Sequence, residues 1–219
     1  THGKTLDHCP PSHINGDKTQ SYTLQIGSGK MLADLISQKL NGALIRVLYD
    51  FRSNDVVNGG EGAPLMPPFS ALLARQEGEP DKIDFNAGNT SNLTVIHHGL
   101  AVQAWDAGPC NEFTDHLVRR YTSDSFDKDG KYALNGQLDT DLLQHLYDMG
   151  RSYYERAVPK SGDPAYYHFD RIQAFETAGR LNDKIHTTAY FAAYTAALTL
   201  RFVTPRIEMP TVFSLYGGG

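Results

Sequence analysis

Three short runs, residues 82–86, 92–97 and 100–105, each carry apolar side chains and are separated only by small turns containing Gly88 and Gly99. Segments that short and that closely spaced pair as consecutive antiparallel strands, because a tight turn sends the chain back along itself. This meander is the feature that most limits the fold. Upstream of it, residues 23–26 suggest a short strand. Met31, Leu32, Leu35, Ile36 and Leu40 then recur at helical spacing until Asn41-Gly42, and residues 44–49 suggest a second strand. Downstream, residues 113–121, 138–149 and 185–202 read as helices, the last long and Ala-rich, and residues 211–216 as a closing strand. Strand and helix alternation, a meander, then helices and a final strand predict an α/β fold.

The connections are marked by turn chemistry. Residues 1–22 are polar, with Pro10-Pro11 and Asn15-Gly16-Asp17, and read as an exposed loop. Residues 50–68 hold Gly59, Gly60, Gly62, Pro64, Pro67 and Pro68, a density that implies a loop of special backbone geometry. A short helix should begin within residues 69–74, and residues 76–81, with Gly78 and Pro80, form the expected linker. The division expected is therefore residues 1–80 and 81–219.

Charge and composition exclude several classes. A net charge of −5 with Lys and Arg scattered along the chain leaves no basic face for nucleic acid. No apolar run approaches the roughly 20 residues a bilayer span requires, so no membrane partner is expected. Cys9 and Cys110 lie too far apart for a zinc motif or a disulfide framework, which favours a reducing, cytoplasmic setting. Asp127-Lys128-Asp129-Gly130 lacks the acidic spacing and closing Glu of a calcium loop and reads as a turn, and His97-His98 reads as a polar strand end. Neither Thr1 nor the closing glycines look like natural ends, so the sequence reads as part of a longer chain.

Four segments could carry chemistry. In Trp105-Asp106-Ala107-Gly108-Pro109-Cys110-Asn111 an acidic residue ends an apolar strand before a tight turn into a helix, the place where open α/β sheets bind ligands. The helix start near Asn111 could meet an anion, and simple capping by Asp106 is about as good a reading. In Asp84 to Asn92, the turn at Ala87-Gly88-Asn89 could offer amides to phosphate, against the plainer reading of a hairpin turn. Arg52 and Asp55 could bind sugar hydroxyls or pair with each other. Gly217-Gly218-Gly219 would let backbone approach a flat ligand, or could be a linker.

Together these segments resemble, in order and spacing, the anhydro-N-acetylmuramic acid kinase family, which includes levoglucosan kinase. The matching residues are Thr1-His2-Gly3-Lys4-Thr5, Thr23-Leu24-Gln25-Ile26-Gly27, Asp50-Phe51-Arg52 with Asp55, and Gly59-Gly60-Glu61-Gly62-Ala63-Pro64-Leu65. They continue through Asn86 to Asn92, Asp106 to Asn111 with Asp115, Phe126 to Gly130, and the terminal glycines. The resemblance covers the family's central portion and lacks its N-terminal phosphate loop and its C-terminal part. Glu61 stands where the family has Gln, Asn89 and Cys110 where it has Gly, and Pro159-Lys160-Ser161-Gly162 is a shortened form of a longer motif.

What the resemblance implies is a two-lobed, actin-like (ribonuclease H-like) sugar kinase. It would use ATP and Mg²⁺ on a 1,6-anhydro sugar in cell-wall sugar recycling. Asp106 would be the general base and would hold Mg²⁺ through water. His2, Arg52, Asp55, Gly62, Pro64 and Asn111 would bind the sugar. Ala87, Gly88, Asn89, Gly108, Pro109, Gly217, Gly218 and Gly219 would bind the nucleotide and its phosphates. The family leaves room for a homodimer. Two other readings stay open: a relative that has lost catalysis but binds sugar or nucleotide, and, last, a glycoside hydrolase using Asp106 and Asp115.

Overall fold

The computed structural model describes residues 5–14, 19–162, 175, 179–203, 208, 210 and 212–218. The chain divides into two compact units, Thr1–Leu65 and Met66–Gly219.

In the first unit, β1 (Thr5–Cys9) pairs antiparallel with β2 (Tyr22–Gln25), and α1 (Gly29–Lys39) and α2 (Ser53–Val57) follow. Residues 5–9 were expected in an exposed loop. The strand forms because polar cross-strand pairs replace apolar ones: the Tyr22 hydroxyl donates to Asp7 Oδ2 at 2.6 Å, and His8 Nδ1 lies 3.0 Å from Thr23 Oγ1. Helix α1 begins where Ser28 Oγ accepts the Met31 amide. The strand expected over residues 44–49 is absent. Among the described residues no strand pairs with that apolar run, and Leu44 and Leu48 stand exposed. Helix α2 also interrupts the loop expected over residues 50–68, its Ser53 amide held by Asp50 Oδ1.

The second unit opens with α3 (Pro67–Glu77), longer than the short helix foreseen and started by the Pro67-Pro68 pair. Strands β3 (Lys82–Ala87), β4 (Thr90–His97) and β5 (Leu100–Pro109) form the antiparallel meander. Then come α4 (Asn111–Tyr121), α5 (Thr140–Tyr154), α6 (Leu181–Leu200) and β6 (Val212–Gly217). The sheet order is β5-β4-β3-β6, with β6 parallel to β3, so the architecture is mixed α/β. The division between units falls at 65/66 rather than near 80, because α3 packs on β4 and β5.

Two apolar clusters fill this unit. One joins α4, α5 and α6 through Phe113, Leu117, Leu142, Leu146, Tyr154 and Phe191. The other packs one sheet face, with Ile83, Phe85, Leu93, Val95 and Trp105, against Ala192 and Ala196 of α6. The small alanines let the helix lie close to the strands. The buried threonines of α6 satisfy their own hydroxyls: Thr188 and Thr199 donate to the carbonyls of Ile185 and Ala196 at 2.9 Å. Thr199 also accepts from the Trp105 indole N–H at 3.0 Å, so the chain's one tryptophan is buried with its donor paired.

Candidate active site

Alternation along each strand gives the sheet a second, polar face. While Ile83, Phe85, Leu93 and Trp105 point to α6, the residues between them line a cavity of about 130 Å³ under α3. Its walls are Met66 at the N-cap of that helix, Phe69, Ser70 and Leu73 within it, and Asp84, Asn86, Asn92, Thr94 and Tyr216 of the sheet. The strand register sets Tyr216 beside Asn86, Asn86 opposite Asn92, and Asn92 opposite Asp106. Four polar side chains thus form one transverse row across four strands, ending at Asp106.

Asp106 sits at a bulge: Ser91 pairs with Gly108 and Asn92 with Asp106, leaving Ala107 as the extra residue. Bulges of this kind re-aim a side chain and are frequent beside active sites. The carboxylate is buried, and its Oδ2 accepts the Gly162 amide N–H at 2.7 Å. Its backbone is held on both sides, the amide donating to the Lys160 carbonyl at 3.0 Å and the carbonyl accepting the Tyr153 hydroxyl at 2.6 Å. Capping of α4 is therefore not what Asp106 does. The α4 cap position is Cys110, which makes no side-chain cap bond.

The segment that fixes Asp106 is itself anchored by a buried lysine. Lys160 Nζ donates to the Tyr153 and Tyr154 carbonyls, 2.8 and 3.2 Å away at the C-terminal end of α5, and lies over the Tyr153 ring. Cations are favoured at that end of a helix. Burial, with Arg156 and Arg201 nearby, nevertheless brings the Lys160 pKa down to about 7. The sequence showed Pro159-Lys160-Ser161-Gly162 only as a shortened motif. Its task, 56 residues from Asp106, emerges from tertiary structure. Tyr153 carried no sequence signal, while Asn86 and Asn92 stood in the sequence only as the ends of the phosphate-turn segment, although the polar alternation at 82, 84, 86, 92 and 94 pointed to a shared polar face.

The turn at Ala87-Gly88-Asn89 joins β3 to β4 and meets the start of α4. The Cys110 and Glu112 amides donate to the Asn89 carbonyl at 2.8 and 3.3 Å, the Asn111 amide donates to the Gly88 carbonyl at 3.1 Å, and Asn111 Nδ2 donates to the Ala87 carbonyl at 3.0 Å. This corrects the expectation that the α4 N-terminus meets an anion, since its first amides are spent on the turn. Gly108 and Pro109 pair with Ser91 and Thr90 beside the same turn, and Ser91 Oγ donates to the Gly108 carbonyl. Gly217, in a left-handed conformation, ends β6 against Ala87; a Cβ there would lie 2.2 Å from the Ala87 oxygen, so only glycine fits.

Ala87, Asn111 and Gly218 also border a cleft of about 260 Å³ on the α6 side, with Thr114, Asp115 and Ala193 among its walls. That is near the ~300 Å³ lower end of ligand pockets, room for part of a nucleotide. Burial pushes the Cys110 thiol up to about 11, so it lines this cleft as a protonated, unreactive group. Asp115 opens onto this cleft, whereas Asp106 belongs to the polar row on the opposite face. The two carboxylates do not share a site, which removes the geometry the hydrolase reading needs.

In the first unit, Arg52 Nη1 donates to the Gly62 carbonyl at 2.8 Å, and Asp55 Oδ2 accepts the Gly62 amide at 2.7 Å. The two side chains thus clasp the backbone on both sides of Gly62 in the Gly-rich loop. Buried Glu61 accepts from Ser12 Oγ at 2.7 Å, and Pro64 follows two residues after Gly62. Burial, together with the Arg52 charge, lowers the His8 pKa, leaving it neutral near pH 7. His2 and Gly219 lie outside the described residues.

Comparison with known proteins bears on this arrangement. The family model described as anhydro-N-acetylmuramic acid kinase matches residues 1–217. The chain is 36% identical over 179 residues to the anhydro-N-acetylmuramic acid kinase of Bordetella pertussis (strain Tohama I), covering 80% of this chain and 43% of that protein. It is 31% identical over 221 residues to the protein of the same name in Thiobacillus denitrificans, covering 100% of this chain and 54% of the relative. For the Methylorubrum extorquens protein of that name the figures are 33% over 219 residues, 100% and 52%. The chain spans about half the length of the curated relatives it matches.

Proposed function

From the premise that this chain belongs to the anhydro-N-acetylmuramic acid kinase family, we propose that the whole protein is an ATP-dependent kinase of a 1,6-anhydro sugar, foremost 1,6-anhydro-N-acetylmuramic acid. The observation that carries this reading is Asp106, buried at a strand bulge, tethered through one oxygen by the Gly162 amide, and standing at the end of the row Tyr216, Asn86, Asn92, Asp106. We take the fold to be the actin-like, ribonuclease H-like one, in keeping with the meander and its parallel fourth strand. A cytoplasmic setting agrees with the free thiols of Cys9 and Cys110. Among the described residues, no helix is long and apolar enough to cross a membrane.

In the reaction, Asp106 takes a proton from water as the water oxygen bonds to the anomeric carbon. The bond from that carbon to the bridging oxygen breaks, and the freed oxygen bonds to the γ-phosphorus while the bond to the ADP oxygen breaks. The products are a ring-opened sugar 6-phosphate and ADP. A carboxylate held by Gly162 and by its own backbone bonds is oriented before substrate arrives, which removes an ordering cost from the transition state. The carboxylate and the Asn92 and Asn86 amides offer oxygen donors, the chemistry that suits Mg²⁺. When bound, the ion would spread the charge of the transferring phosphoryl group.

Ala87, Gly88, Asn89, Gly108 and Pro109 are assigned to the phosphates, and Gly217, Gly218 and Gly219 to the nucleotide beside the α6-side cleft. Gly62, Pro64, Asn111 and His2 are assigned to the sugar. Arg52 and Asp55 act on the sugar side by fixing the backbone at Gly62. The test is to incubate the full-length protein with ATP and Mg²⁺, with and without 1,6-anhydro-N-acetylmuramic acid or levoglucosan. Sugar-dependent ADP release matched by a sugar 6-phosphate is the expected result. A folded full-length protein that releases no ADP with either sugar would remove this function.

A further inference from the structure

The cavity under α3 holds a group that the reaction does not use. Asp84 is 3% exposed, and neither of its carboxylate oxygens accepts a hydrogen bond. Buried carboxylates are almost always satisfied, so an unsatisfied one facing a cavity marks a place where a donor is expected. Asp84 lies opposite Thr94, one row from Asn86 and Asn92, and Asn92 lies opposite Asp106. Strand spacing and rise put the Asp84 and Asp106 backbones about 12 Å apart, a distance that one hexose ring with a substituent spans once both side chains reach toward it.

The nature of the donor follows from the neighbours. A metal cation is disfavoured because Lys82 Nζ already stands 3.5 Å from Asp84 Oδ1, itself buried and held by Glu77 Oε2 at 2.7 Å and the Tyr216 hydroxyl at 3.0 Å. An anionic substituent is excluded by the Asp84 charge. What remains is an uncharged N–H or O–H. The opposite wall is apolar, made by Met66, Phe69 and Leu73, so a bare hydroxyl would leave that wall uncovered. A cavity of about 130 Å³ that sets one carboxylate against an apolar wall suits a small group carrying both an N–H and a methyl. An acetamido group has both, with an N–H for Asp84, a methyl for the Phe69 wall and a carbonyl oxygen for the hydroxyl of Ser70 or the amide of Asn92.

We propose that the Asp84 cavity is the subsite for the acetamido group of the sugar and makes Asp84 a specificity determinant. This rests on the sugar-kinase reading. An anionic side arm of the same sugar would have to point elsewhere.

The experiment compares two ligands that differ only at C2, 1,6-anhydro-N-acetylglucosamine and 1,6-anhydroglucose. Their binding to the full-length protein is measured by calorimetry and their phosphorylation by kcat/KM. Wild type is expected to favour the acetamido sugar by at least tenfold, and Asp84→Leu to collapse that ratio toward one. Phe69→Ala, which truncates a half-exposed side chain and so spares the fold, should lower the ratio several-fold. A wild type with no preference, or a preference that survives Asp84→Leu, overturns the subsite. Preferential binding lost in Asp84→Leu, in a protein that never consumes ATP, would support the subsite while removing the kinase reading.

Discussion

The two units handle their apolar residues in opposite ways. In Met66–Gly219, Leu93, Trp105 and Phe191 are fully buried in two clusters that tie the sheet to its helices. In Thr1–Leu65, Leu44 is 88% exposed, Leu48 74% and Met31 63%, and Val56 is fully buried. The first unit is held instead by polar contacts: Arg52 and Asp55 on the backbone of Gly62, Ser12 on Glu61, Tyr22 on Asp7. Such contacts give modest net stability, whereas apolar burial is the dominant favourable term in folding. The second unit thus carries its own core. The first leaves many of its large apolar side chains exposed.

The sharpest way to break this contrast is to delete apolar side chains on each side. Trp105→Ala should cost about 3–5 kcal/mol, since it leaves a cavity and orphans its contact with Thr199. Leu48→Ala should stay within about 0.5 kcal/mol. Urea unfolding of both variants checks this, and a comparable loss from Leu48→Ala would show that the first unit has a core after all.

A second test uses the buried charge of the second unit. Lys160 is lowered in the folded state from its ordinary 10.5 to about 7, so between those values the unfolded chain binds the extra proton. Its contribution to stability therefore rises as pH climbs from 7 toward 10.5 and is flat below 7, with a slope of at most about 1.4 kcal/mol per pH unit. Stability of wild type and Lys160→Met measured across that range should diverge, with wild type gaining. Parallel curves would place the lysine in a better solvated site.

A smaller loss than that of Trp105→Ala is expected at a glycine of the first unit. Gly62 has a φ of +64°, and a Cβ there would come 2.7 Å from Val56 Cγ2. Gly62→Ala should cost about 1–2 kcal/mol by denaturant titration and loosen the Arg52 and Asp55 clasp. A neutral outcome would mean that the loop conformation does not depend on this position.

The same contrast explains what was legible in the sequence. The meander over residues 82–105 and the helix over residues 185–202 could be read because their apolar period matches a core that exists in the second unit. Residues 44–49 look like a strand by composition, but a strand needs a ladder partner, and none of the described residues supplies one. Thr5–Cys9 went unread because its pairing rests on Asp7, His8, Tyr22 and Thr23 rather than on apolar alternation. Asp106 was visible as a strand-end carboxylate. Its tether to Gly162 and the anchoring Lys160 were not, because no local pattern reports a contact across 56 residues.

The most direct measurement for the account is the steady-state kinetics of Asp106→Asn against wild type in the full-length protein, with 1,6-anhydro-N-acetylmuramic acid and ATP. Asparagine keeps the size and can still accept the Gly162 N–H, but it cannot take the proton. The prediction is a fall in kcat of about 10²–10⁴-fold with KM within a few-fold and an unchanged unfolding midpoint. Retained kcat in the folded variant would contradict the assignment of Asp106 as the base.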